Sequence, residues 1–430
     1  MPFLDSLITE DKEELHTILD EQYGILLRIS CIYPRLNPEK RLKSIVHFSI
    51  FFFIFIFDII SKVISLILVS DNFDYIVKVV NGLLIMCIIM SCFVFYNVHR
   101  SKLTNLLTLM FDNSVQFDAV TDQFKKNRLN YNKKYNKTVF YTCLFYFTIT
   151  DTIITIVIPL VDYFKNNRQE VYTKYGVSLN LPKLQWTPFG SDNYWNFTIS
   201  CLNIAVAQIV HILIISFSVP LFYSLVEHVR LELDTLTYAI NRLQDRAIIL
   251  YEQLYDESVS SYELDNNPAL LNCQVQCVKE CIRKHQQIIR AVSDLNVLGG
   301  VALSFTSYAT ATLIAIAGIS MIFGSGDTFM SGLAFGIAEI GIFFVICWCG
   351  EIISGAKNNF EKALYSINWY TVKDKDSARM LQIMLATAQQ SRTLYFNKKL
   401  HVPANFELFA TMMNTAYSYF SLLFHIKKQI

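Results

Sequence analysis

Hydrophobic residues in this chain are concentrated in seven long runs that are separated by polar segments. The runs cover residues 44–69, 75–96, 138–161, 195–226, 292–323, 328–350 and 405–426. A helix needs about 20 apolar residues to cross the hydrocarbon core of a bilayer. The pattern therefore predicts an all-α protein with seven transmembrane helices. Because the first 43 residues are polar and charged, no signal peptide is expected.

Several polar segments between the runs also have helical periodicity. Apolar residues recur at helical spacing in 11–30, 231–252, 270–291 and 364–400. The first of these segments predicts an amphipathic helix at the membrane or against the bundle. The next two continue the fourth run and lead into the fifth run. These two helices are therefore expected to project well beyond the bilayer.

The distribution of Lys and Arg predicts the orientation of the chain. If the segments outside the runs alternate between the two sides, one side carries 29 basic residues and the other carries six. Basic residues favour the cytoplasmic side of a membrane. The N-terminus is therefore expected inside and the C-terminus outside. This orientation is the reverse of that of a G-protein-coupled receptor, and it excludes that class.

Composition and motifs exclude several other functions. The chain is 53% hydrophobic and only 17% charged, and its net charge of +1 gives no attraction to nucleic acid. No nucleotide-binding, metalloprotease or hydrolase motif is present, so no catalysis and no cofactor is expected. Cys273, Cys277 and Cys281 lie on one helix face. A metal site is conceivable there, but reduced structural thiols are the favoured interpretation.

Ionisable residues inside the runs are candidates for function. Asp58 and Lys62 are spaced to pair along one helix face, which favours a structural ion pair. Glu339 can line a cavity or accept a hydrogen bond from a neighbouring helix. Asp151 lies in a hydroxyl-rich stretch of the third run. This stretch is typical either of a ligand pocket with a few polar contacts or of hydrogen bonds between helices.

The C-terminal region carries a recognisable pattern. Segment 363–370 reads ALYSINWY, Pro403 precedes the last run, and segment 417–420 reads YSYF. This pattern, together with the inverted topology and the chain length, resembles the insect odorant receptor family. Gustatory receptors end in a different motif with Gln-Phe. The odorant co-receptor has a longer cytosolic stretch between the fourth and fifth runs. The resemblance is therefore to a ligand-tuned odorant receptor subunit.

The resemblance implies a specific architecture and activity. Such subunits form heterotetrameric, non-selective cation channels with the odorant co-receptor, in the plasma membrane of olfactory sensory neurons. A volatile odorant binds in the outer half of the helix bundle. The implied parts are a cytosolic N-terminal segment (1–43), a six-helix bundle (44–350) with cytosolic extensions (227–290), a cytosolic anchor region (351–403) and a pore-lining last helix (404–430).

The resemblance to odorant receptors selects three sets of candidate residues. The odorant-binding candidates lie in the outer halves of runs two to six: Tyr75, Val79, Asp151, Thr152, Thr155, Ile158, Asn203, Ala207, Tyr308, Thr312 and Phe329. The pore candidates share one face of run seven: Met413, Tyr417, Ser421 and Phe424. The subunit-interface candidates form an apolar stripe that is expected to need a partner: Leu381, Met384, Leu385 and Ala388.

The sequence leaves two alternative functions open. The first is a gustatory-type receptor channel of the same superfamily. The second is a secondary transporter, which charged residues in the membrane would permit. The odd number of runs and the absence of an evident internal repeat argue against a transporter.

Overall fold

The structure is a computed structural model of the full chain. It describes residues 30, 41–109, 117–153, 157, 177, 183–188, 194–255, 267–324, 326–367, 374–390, 393–397 and 402–429. Within these ranges it contains ten helices: α1 (Arg41–Leu68), α2 (Phe73–Val98), α3 (Arg100–Leu109), α4 (Ala119–Thr152), α5 (Tyr194–Asn241), α6 (Leu243–Tyr255), α7 (Pro268–Phe323), α8 (Gly326–Tyr365), α9 (Lys375–Gln389) and α10 (Phe406–Gln429). The predicted amphipathic helix at 11–30 lies outside the described residues, apart from Ser30.

The prediction of an all-α membrane protein is confirmed. Each of the seven apolar runs falls on a helix, in α1, α2, α4, α5, α7, α8 and α10. By length and composition, stretches of α1, α2, α5, α7 and α8 can each cross a membrane. The other two stretches do not meet this criterion. For α4, the described helix ends at Thr152 while the apolar run continues to residue 161, and α10 mixes polar with apolar residues.

Two helices extend far beyond a bilayer, as the periodicity predicts. Helix α5 has 48 residues and α7 has 56. At about 1.5 Å per residue, either helix is more than twice as long as a hydrocarbon core of about 30 Å. Asn267 caps the start of α7 by accepting hydrogen bonds from the amides of Ala269 and Leu270. The long helices thus connect the bundle to a second helical layer.

The two ends of the molecule follow from this connectivity. One end carries the α1–α2 turn and segment 183–188, and we call it the loop end. The other end, which we call the opposite end, carries the start of α4, helix α6 and helix α9. One hydrophobic core extends between the two ends, from Phe55 in α1 through Phe217 in α5 to Leu381 in α9.

A short antiparallel hairpin precedes the last helix, and the sequence pattern does not predict it. It consists of β1 (Tyr395–Asn397) and β2 (Val402–Pro403). The Asn296 side chain on α7 donates to the carbonyl of Thr393 and accepts from the amide of Tyr395, each at 2.9 Å. The Ala404 carbonyl then packs directly on Gly350 of α8. The start of α10 is thereby attached to α7 and α8.

The apolar stripe on α9 is covered by its own chain. Leu381, Met384 and Ala388 are at most 4% exposed, and Leu385 is half-buried against the same core. These side chains pack inside the subunit because α9 folds against α7 and α8. The argument that a partner subunit must cover this stripe therefore does not hold. The exposed side of α9 carries Ile383 instead.

Candidate functional site

Two odorant-binding candidates on α2 lie together at the loop end. Val79 is buried in a small apolar cluster with Val69 and Val177, and Tyr75 and Leu184 pack against this cluster. Asn72 begins α2 by accepting hydrogen bonds from the amides of Asp74 and Tyr75. This cap fixes the first turn of α2 beneath segment 183–188.

The candidates on α5 face the same region. Ala207 is buried and Asn203 is half-buried, and at helical spacing they share one face with His211. On α2, Tyr75 and Val79 likewise share one face with Gly82. A side-chain atom added at Gly82 would lie 3.3 Å from Cε of Lys62. The residues chosen on α2 and α5 therefore lie on the faces that border Lys62 and His211.

The remaining odorant-binding candidates lie elsewhere or are not described. Tyr308 is 53% exposed, and Phe329 and Thr312 are also exposed on the outside of the single subunit. The hydroxyls of Thr152 and Thr312 donate to carbonyls of their own helices. Thr155, Ile158 and the side chain of Asp151 lie outside the described residues. Exposure does not suit an enclosed pocket within one subunit, so the four exposed candidates contribute no wall to the region around Lys62: Thr152, Tyr308, Thr312 and Phe329.

A buried polar cluster occupies the space between α1, α2 and α5. The ammonium of Lys62 forms an ion pair with Asp58, and both side chains are almost completely buried. Nε2 of His211 lies 3.8 Å from Oδ2 of Asp58, and the imidazole stacks on Phe55 with 5.4 Å between ring centroids. The sequence pattern indicates the Asp58–Lys62 pair. It does not indicate His211, because this residue lies on a helix about 150 positions later in the chain.

Segment 183–188 closes this cluster at the loop end. The Trp186 amide donates to Oγ of Ser65 at 2.6 Å, and that hydroxyl donates to the Ser61 carbonyl at 2.7 Å. Lys183 donates to Oε1 of Gln208 on α5. These contacts connect segment 183–188 with α1 and α5.

Several buried polar atoms around the cluster have no hydrogen-bond partner among the described residues. They are Oδ1 of Asp58, Oγ of Ser61, Nε2 of Gln185 and Nε2 of His211. Leaving a buried donor or acceptor unsatisfied costs about 1–3 kcal/mol. Such groups are normally satisfied by ordered water or by a ligand. The cluster is therefore suited to hold the polar group of a small molecule.

Glu339 forms a separate polar contact between two helices. Its carboxylate is 3% exposed and accepts a hydrogen bond from the Thr310 hydroxyl at 2.8 Å. Of the two interpretations from the sequence, this contact favours the hydrogen bond between neighbouring helices.

An ionic network joins α4, α6, α7 and the turn between α5 and α6 at the opposite end. Asp118 caps α4 and contacts Nη1 of Arg242 at 3.0 Å and Nε of Arg246 at 3.1 Å. Arg246 also contacts Glu280 on α7 at 2.8 Å. Burial raises the pKa of Asp118, but hydrogen bonds from Thr121 and Arg242 outweigh this effect and hold the pKa below its ordinary value. Asp118 thus stays ionised at neutral pH and fixes the start of α4.

A second network lies one layer nearer the bundle. Glu232 on α5 is fully buried and contacts Nζ of Lys284 and Nζ of Lys125, each at 2.9 Å. His228 lies one turn away on α5, with Nε2 at 3.4 Å from Oε1 of Glu232. Two ammonium groups compensate the buried carboxylate. The network therefore holds α4, α5 and α7 in one arrangement.

The three cysteines on α7 are buried next to these networks. Cys273, Cys277 and Cys281 are free thiols, and burial raises the pKa of Cys277 to about 12. A cysteine binds a metal ion as a thiolate, and burial disfavours this charged form. In the described part of the chain, no three His, Cys, Asp or Glu side chains are grouped to hold a metal ion.

The pore candidates on α10 divide into two pairs. Met413 packs against the core and Ser421 is half-buried, whereas Tyr417 is 73% exposed and Phe424 is 44% exposed. The start of α10 packs on α8 through stacked ring pairs of Phe406 with Phe344 and Phe409 with Phe343. Much of the middle of α10 thus remains uncovered in the single subunit.

Long apolar helices that surround a buried polar cluster define a polytopic membrane protein. The family described as 7tm Odorant receptor matches residues 72–417. The chain therefore belongs to the insect odorant receptor family, which consists of receptors or ion channels rather than enzymes.

Two relatives from Drosophila melanogaster support this assignment. The chain is 22% identical to Odorant receptor 85b over 145 residues, which is 34% of this chain and 36% of the relative. It is also 22% identical to Odorant receptor 85c over 143 residues, which is 33% of this chain and 36% of that relative. The matched stretch thus spans about a third of the length of each relative.

Solved structures extend the similarity to the whole fold. The insect olfactory receptor OR5 from Machilis hrabei aligns with a TM-score of 0.74 at 13% identity, over 96% of this chain and 99% of that chain. Its complex with eugenol aligns with a TM-score of 0.72 at 14% identity and the same coverage. At this level of identity the similarity shows the fold.

Proposed function

We propose that this chain is the ligand-tuned subunit of an odorant-gated, non-selective cation channel. In this proposal it assembles with the odorant co-receptor into a heterotetramer in the plasma membrane of olfactory sensory neurons. The N-terminus lies in the cytoplasm, so that the loop end faces outward. Family membership supports the receptor role, and the charge asymmetry supports the orientation.

The observation that carries the ligand site is the buried polar cluster at the loop end. A volatile odorant is small and mostly apolar, so its binding requires apolar walls and one or two polar contacts. Tyr75, Val79 and Ala207 supply apolar walls. The unsatisfied atoms of Ser61 and His211 supply the polar contacts. Asn203 on the His211 face of α5 is a further polar contact. Asp151, Thr155 and Ile158 stay candidates from the sequence for additional contacts with the odorant.

Co-expression with the co-receptor tests the channel proposal. A panel of volatile esters, aldehydes, terpenes and aromatics is applied while cation current is recorded. We expect at least one volatile to open a current that the co-receptor alone does not give. If the chain reaches the cell surface with the co-receptor and no volatile elicits current, the channel proposal is wrong. Epitope tags probed in intact cells test the orientation, and an accessible N-terminal tag contradicts it.

A substitution at Ser61 tests the placement of the ligand site. Ser61→Ala removes the unsatisfied hydroxyl and little side-chain volume. For an agonist with a polar group, we expect the half-maximal concentration to rise about tenfold, which corresponds to the loss of one hydrogen bond. Ile60→Leu, at an exposed position on α1, is the control and should leave potency unchanged. Unchanged potency for every agonist in Ser61→Ala refutes this placement.

A further inference from the structure

A row of lysines lies on one face of α4, on the side away from the bundle. Lys126, Lys133, Lys134 and Lys137 follow the spacing i, i+7, i+8 and i+11, which places them on one side of the helix. All four side chains are exposed. We call this set the lysine stripe. No acidic residue occurs between Asp122 and Lys137, so the stripe is not neutralised along its own helix.

The neighbouring lysine on the inner side of α4 behaves differently. Lys125 points toward the bundle and forms its ion pair with the buried Glu232. Within the described parts of the chain, no carboxylate lies at ion-pair distance from the four ammonium groups of the lysine stripe. Their charges are therefore available to a partner outside the subunit.

The same face of α4 continues directly into exposed apolar residues. Tyr141, Phe145 and Ile149 follow Lys137 at intervals of four residues, and they are 56%, 68% and 40% exposed. Large apolar side chains on the outside of a membrane bundle contact lipid tails. The change from aromatic residues to lysines within one turn therefore marks the level at which lipid tails give way to headgroups.

We propose that Lys133, Lys134 and Lys137 bind the headgroups of anionic phospholipids in the membrane leaflet at the opposite end. Clusters of basic residues next to a transmembrane helix attract anionic lipid by about 1 kcal/mol for each residue near the surface, or roughly fivefold in affinity. These three residues span about 6 Å along the helix axis, which lysine side chains can bridge. Lys126 lies about 16 Å from Lys137 along the axis, which is beyond a Debye length of about 8 Å at physiological salt.

Lipid selectivity of the purified full-length chain tests this proposal. The chain is reconstituted into phosphatidylcholine vesicles with spin-labelled phosphatidylserine or spin-labelled phosphatidylcholine. The motionally restricted fraction of each label gives their relative affinity. We expect phosphatidylserine to be preferred at 0.1 M salt and the preference to fall at 1 M salt. Both vesicle leaflets contain both lipids, so the result depends neither on orientation nor on channel activity.

Charge variants distinguish the lysine stripe from a general effect of the membrane. The triple variant Lys133→Gln, Lys134→Gln, Lys137→Gln should reduce the preference severalfold, by at most about fivefold for each lysine. The corresponding triple arginine variant should retain the preference, and Lys126→Gln should change it little. Gel filtration and circular dichroism verify folding, and the arginine variant keeps the test decisive if the glutamine variant misfolds. Absence of a preference in the wild-type chain overturns the proposal. An equal loss in Lys126→Gln, or retention in the triple glutamine variant, also overturns it.

Discussion

At the scale of single residues, the polar groups inside the bundle carry most of the functional information. The Asp58–Lys62 pair could be predicted because both residues belong to one helix and their spacing alone places them together. His211 and Gln208 could not be assigned to the same cluster. Hydropathy shows that a helix is buried but not which neighbouring faces meet. The contact depends on how α1, α2 and α5 pack, and a single sequence does not encode that packing in a readable pattern.

The Asp58–Lys62 pair yields a prediction about stability. Asp58→Asn leaves an ammonium without its carboxylate in a buried site, and Lys62→Met leaves a buried carboxylate. Each change should destabilise the chain by about 3–5 kcal/mol, because an uncompensated charge remains. The double variant should lose less than the sum of the two single variants. Thermal unfolding of the purified protein, followed by gel filtration, measures all three, and additive losses would show that the pair is not coupled.

At the scale of helices and strands, the hydrophobic runs predicted where helices occur, and the helical periodicity of the polar segments predicted that two of them extend beyond the bilayer. They did not predict the β1–β2 hairpin, because its formation depends on side-chain hydrogen bonds from Asn296 on a distant helix. The sequence correctly predicted that the apolar stripe on α9 must be buried. It is buried within the same chain, because α9 folds back onto α7 and α8.

Two glycines on α8 provide a matched pair for testing the attachment of α10. A methyl group at Gly350 would overlap the Ala404 carbonyl, whereas nothing lies within 4 Å of a methyl group at Gly355. Gly350→Ala should displace the segment before α10 and lower the unfolding temperature by several degrees. Gly355→Ala should be neutral or stabilising by up to about 1 kcal/mol, because alanine favours a helix over glycine. Equal unfolding temperatures for the two variants would show that the segment moves at little cost.

At the scale of the whole molecule, the opposite end is held by networks of ion pairs, whereas the middle of helix α10 is exposed. The networks around Asp118 and Glu232 connect α4, α5, α6 and α7, so the opposite end of the subunit resists rearrangement. Helix α10 is fixed near its start by the phenylalanines that pack on α8, and near its end by Lys427, which donates to the Ile322 carbonyl. Between these points Tyr417 and Phe424 are exposed on one face. A symmetric assembly can cover such a face by bringing copies of α10 around a common axis.

This arrangement predicts that α10 lines the ion path. Tyr417 and Ser421 lie on one face, where a hydroxyl eases the passage of hydrated cations and an aromatic ring narrows the path. Tyr417→Ala and Ser421→Trp, each expressed with the wild-type co-receptor, should change conductance or relative cation permeability. Odorant potency should change little, because the polar cluster at the loop end lies on α1, α2 and α5 rather than on α10. Leu422→Ala, at an exposed position that points away from Tyr417, is the control and should leave permeation unchanged. Wild-type permeation in both pore variants, together with a shift in odorant potency, would place α10 in the ligand response instead of the ion path.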